Sequence, residues 1–78
     1  MKNLINGKMA TLNLAGIDGN AFSIMGEWRK AAKKSNITSA EIDIVLKEAM
    51  SSDYNHLLAT IMHHTTNPHV LAWTNNTN

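Results

Sequence analysis

Two short amphipathic helices with explicit start signals stand in tandem between Thr38 and His64, and the rest of the chain has to fold around them. Thr38-x-x-Glu41 is a capping box, in which the threonine hydroxyl and the glutamate carboxylate each bond the other residue's backbone N–H. Ile37 before it and Ile42 after it occupy the positions of a hydrophobic staple. Ile42, Val45, Leu46, Ala49 and Met50 then recur at spacings of three and four, the period of one helix face. Ser51-Ser52-Asp53 ends that helix and caps the next, in which Tyr54, Leu57, Leu58, Ile61 and Met62 repeat the spacing. Thr65-Thr66-Asn67-Pro68 stops it, because proline disfavours helix at the residue before it.

Upstream, Gly16-Ile17-Asp18-Gly19-Asn20 is a turn, and Asp18 or Asn20 caps a third helix running to about Lys34. Its apolar stripe takes in Phe22, Ile24, Met25, Trp28, Ala31 and Ala32. Gly26 interrupts it at a cost of about 1 kcal/mol relative to alanine, which suggests close packing of another backbone there. Ala10 to Ala15 alternates apolar and polar residues, the pattern of a half-buried strand. Its partner is expected to be either His69–Trp73 or the same strand of a second chain. Residues 1–8 read as a flexible leader, 9–73 as one small domain and 74–78 as a disordered polar tail. The fold class is mainly α: a compact three-helix domain with a minor two-stranded β ribbon from the terminal segments, in the order β-α-α-α-β.

Composition narrows the functions. Seventy-eight residues hold one small core, and with no cysteine there is neither a disulfide framework nor a thiolate metal site. Tight helix packing or self-association has to stand in, which favours a homodimer. A net charge of +1 argues against both an acidic DNA mimic and a strongly basic nucleic-acid binder. No apolar run is long enough for a membrane span or a signal peptide, so the expected location is the cytoplasm.

Asp18-Gly19-Asn20-Ala21-Phe22, Glu48-Ala49 and Asp53-Tyr54-Asn55-His56-Leu57-Leu58 together resemble a family of small proteins of unassigned activity. That family is seen in bacteriophages and in bacterial genomes carrying phage-like regions. Its pattern is DGNAF, an EA-x-x-GDY-D-HLL block and a short Trp-containing tail. The likeness covers Leu12 to Met62. The chain departs from it at Ser52, where the family has glycine, at Asn55, where it has aspartate, and in the spacing of the tail. The resemblance implies a phage context, where the cytoplasm is that of the host, and a compact fold; it implies no reaction. It singles out Asp18, Asn20, Asp53 and His56, of which three are explained by capping.

Among chemistry-bearing residues, His56 and His63 stand seven apart, but no histidine pair has the i, i+4 spacing of a helical metal clip. No metal or other cofactor is expected. The carboxylates have structural roles at hand, and no nucleophile–base–orienter pattern or phosphate loop is present, so no enzyme is expected. The strongest surface feature is the basic run Arg29, Lys30, Lys33 and Lys34, which complements the helix dipole and offers a face to an anionic partner. As a DNA reader the chain is poorly equipped: in a helix-turn-helix the outward residues of the second helix, Asn55, Thr60, His63 and His64, include no Arg or Lys. The methionines and the wide apolar stripes leave apolar area to spare. The expected function is that of a non-enzymatic phage-type accessory protein that binds and modulates a host protein through the Arg29–Lys34 face and exposed apolar residues. Alternatives are a nucleic-acid-binding regulator using the same basic face, and a small-ligand or nucleotide binder between protomers.

Overall fold

The computed structural model describes residues 1–66. The elements are β1 (Ala10–Thr11), α1 (Ala21–Lys34), α2 (Ser39–Ala49), α3 (Tyr54–His63) and β2 (Thr65–Thr66). The fold is mainly α, three packed helices with a small two-stranded sheet joining the two ends. Those strands pair in parallel, Ala10 opposite Thr65 and Thr11 opposite Thr66. Parallel pairing needs a long crossover, and the three helices supply it. The pairing lies within one chain and starts at Thr65, in the stretch read as a helix stop; His69–Trp73 and the polar tail 74–78 lie outside the described residues.

The caps form where their residue types place them. The Asn20 carboxamide accepts from the N–H groups of Phe22 at 2.8 Å and Ser23 at 3.4 Å. Both halves of the Thr38–Glu41 capping box are made, and Ile37 and Ile42 are buried. The end of α1 is a Schellman motif: Asn36 turns left-handed at φ 63°, and Ile37 N–H reaches the Ala32 carbonyl at 3.0 Å. Ile37 thus serves both the end of α1 and the start of α2, which fixes the angle between them.

The core is Trp28 surrounded by Ile24, Ala32, Val45, Ile42 and Ile61, among others. Four sequence expectations need correction. Ile5, placed in the flexible leader, is buried; the Asn3 side chain accepts from Ile5 and Gly7 N–H and folds the segment into a turn over the core. Of the strand pattern Ala10–Ala15, the described residues form a strand at Ala10–Thr11; Leu12 N–H bonds the Thr66 carbonyl at 3.1 Å, and beyond it Asn13 Oδ1 accepts from Ala15 N–H. Nothing packs against Gly26: an added Cβ would meet no atom within 4 Å. Thr60 and His64, read as outward on α3, are fully buried. The Thr60 hydroxyl donates to the His56 carbonyl at 2.8 Å, which hides it within the helix.

His64 ties the termini together. Its Nε2 accepts from Leu4 N–H at 3.0 Å, and its Nδ1 lies 2.7 Å from the Thr60 carbonyl. Since Leu4 N–H can only donate and the carbonyl can only accept, the ring carries its proton on Nδ1 and is neutral. The His64 carbonyl in turn accepts from Ala10 N–H at 2.9 Å and from the Trp28 indole at 3.3 Å.

Candidate functional site

The polar residues singled out in the sequence take up structural bonds. Asp18 accepts from Asn20 N–H at 3.0 Å, and Asp53 from His56 N–H at 2.9 Å. The Tyr54 hydroxyl donates to the Gly19 carbonyl, holding the turn before α1 against α3. His56 Nε2 donates to Glu48, at 2.8 Å to the carboxylate and 3.1 Å to the backbone carbonyl, and so closes the end of α2. Hydrogen bonds from His56 and then from Ser51 hold the Glu48 carboxyl below the ordinary carboxylate range.

Ser51, His56 and Glu48 superficially suggest a catalytic triad, but the geometry does not make one. Serine and glutamate approach the same ring nitrogen, Nε2, and the Ser51 hydroxyl is directed at the Glu48 carbonyl, 2.7 Å away. A general base needs its orienting carboxylate on the opposite nitrogen from the nucleophile. Among the described residues, no group of three or more His, Cys, Asp or Glu is placed to hold a metal ion. No helix among them is long and apolar enough to cross a membrane.

The surface chemistry lies on the outer side of α1. Phe22, the only phenylalanine in the chain, is 80% exposed. Met50, at the end of α2, is 59% exposed. With Met25 between them they wall two adjoining open grooves. One runs between α1 and α2 and is lined also by Leu46, Gly26 and Arg29. The other continues across to Tyr54 and Leu57 of α3. Each is about 270 Å³. This patch gathers the ends of all three helices around the Phe22 ring, with the exposed Tyr54 at its α3 side.

Arg29, Lys30, Lys33 and Lys34 are all exposed, as their sequence pattern implies. Lys30 pairs with Glu27 at 3.7 Å. Arg29 lines the groove, and Lys33 follows it one turn along the same face, as residues four apart do. Half of the basic run is therefore continuous with the apolar patch. The sequence stripe missed which apolar residues stay outside. The signal was present: Phe22 lies six residues from Trp28, about 120° away around the helix axis, so one neighbouring layer cannot cover both.

A second cleft, on the far side of Tyr54, is lined by Leu14, Ile17, Ile24, Leu58, Ile61 and Met62 among others and measures about 230 Å³. Its walls carry no charged side chain. No family model, curated protein or solved structure matches the chain.

Proposed function

We propose that this protein works by binding another protein through the outer face of α1 and the end of α2, centred on Phe22, Met25 and Met50. The observation that carries the reading is the exposure of Phe22 beside a half-buried and an exposed methionine. Aromatic, methionine and arginine side chains are the types enriched in protein interfaces, and this patch holds all three. The methionines are unbranched and adapt their shape to a partner. The phage resemblance makes a host regulator or defence component the class of partner to look for, with the protein acting as a non-enzymatic accessory factor in the cytoplasm. A homodimer presenting two such faces fits the small size of the core.

Nuclease-treated lysate from a bacterial host, captured on the tagged full chain at high salt, tests this directly. A stoichiometric host protein retained by the unmodified chain and lost with Phe22→Ala supports the reading. Equal retention by both, or none by either, contradicts it.

The exposed basic run favours one other reading, a nucleic-acid binder. Contacts to phosphates release counterions, so such binding weakens steeply as salt rises. The double variant Lys30→Ala, Lys34→Ala, which spares Arg29 and Lys33, weakens binding steeply if that reading is right and leaves Phe22-dependent capture intact if the first one is.

A further inference from the structure

We infer that the groove between α1 and α2 seats one amphipathic helix of the partner, which approaches most closely at Gly26 and turns acidic residues toward Arg29 and Lys33. This rests on the partner-binding reading above and names the occupant of that face.

Gly26 is the first ground. It stands in the middle of a 14-residue helix with helical backbone, where glycine is unfavourable relative to alanine. Packing within the chain does not explain it, since a Cβ there would point into open space. What the missing side chain does provide is room in a groove that Gly26 lines together with Phe22 and Met50. A glycine lets a second backbone come closer than any other residue would. The groove follows the crease between two helices, and a helix laid along such a crease presents anchors at spacings of three, four and seven.

Charge is the second ground. Arg29 is the one charged residue lining the groove. Among the described residues Arg29 and Lys33, like Lys2, Lys34 and Lys47, have no salt-bridge partner, and of these Arg29 alone lines the groove. An arginine among apolar lining residues matches a carboxylate with two parallel hydrogen bonds. Nucleic acid would engage the lysines and leave the Phe22, Gly26 and Met50 groove unused.

The test is selection of a random displayed-peptide library on the full chain, counter-selected against Phe22→Ala. The expected peptides carry apolar residues at helical spacing and are enriched in Asp and Glu on one flank. A synthetic copy of the leading peptide should bind Gly26→Leu on the order of tenfold more weakly, about 1.4 kcal/mol, and prefer the unmodified chain to Arg29→Glu. Circular dichroism should show Gly26→Leu folded at least as stably as the parent. Phe22-dependent peptides that are neutral or basic, or that bind Gly26→Leu unchanged, overturn the acidic helix and leave the binding face standing. Failure to enrich any Phe22-dependent peptide overturns the face itself.

Discussion

Helix α1 and the α2–α3 pair are built to different rules. In α2 and α3 the polar signals in the sequence are used up at the helix ends: the capping box, the Asp53 cap and the His56–Glu48 bond each satisfy end groups. Among the described residues no buried side-chain N or O atom lacks a partner. Helix α1 has two faces of opposite character. Its inner face carries Trp28, fully buried and hydrogen-bonded to the His64 carbonyl. Its outer face carries Phe22, Gly26 and Arg29, which no internal contact accounts for. The difference teaches that exposed apolar residues on a small domain are informative when they gather beside a gap and a charge. Scattered singly they would need no explanation.

The contrast within α1 gives the largest effect. Trp28→Ala should destabilise the fold by about 3–5 kcal/mol, a large share of what a small domain possesses. Phe22→Ala, from the same helix, should change stability by less than about 0.5 kcal/mol. Urea unfolding followed by circular dichroism measures both; comparable losses would mean that Phe22 belongs to the core and that α1 does not have two faces. Next, Thr38→Ala should cost about 1 kcal/mol while leaving partner capture intact, because it removes a cap remote from the groove. Gly26→Ala should stabilise the chain by about 0.5–1 kcal/mol and at the same time weaken partner binding. A gain in stability with no loss of binding would leave Gly26 without a role.

The smallest effect lies in the acid limb. The Lys8 ammonium and the Thr38 backbone bond lower the Glu41 carboxyl, and His56 and Ser51 lower that of Glu48. Both groups hold their protons less tightly folded than unfolded, so their contribution is complete above the ordinary glutamate value of about 4.3. It is lost as pH falls through the lower folded values. Both side chains are partly open to water, and salt will shrink the effect. Thermal melts at several pH values should show Glu48→Gln with a shallower fall in stability below that value than the parent chain.

Much of the fold was legible because it rests on local signals. Thr38, Glu41 and the Ile37–Ile42 staple position α2 from neighbouring residues alone, and Asn20 and Asp53 do the same for the other helices. What local pattern could not convey was long-range pairing. Leu4 and His64 are sixty residues apart and bond only because β1 lies beside β2. Thr65-Thr66 after a helix reads first as a stop, which points to a partner strand further along the chain. The candidate site was half legible: the basic run and the surplus apolar area stood in the sequence, but the meeting of Phe22 and Met50 depends on how α1 crosses α2. Gly26 was visible as an anomaly that invites another backbone, and no atom of this chain comes close to it.

The most direct measurement is photo-crosslinking in cells from a benzophenone side chain placed at position 22, with position 43 on the exposed side of α2 as the control. The account predicts one dominant adduct with another protein from position 22 and none from position 43. Adducts of equal yield from both positions, or an adduct only with a second copy of the chain, would contradict it.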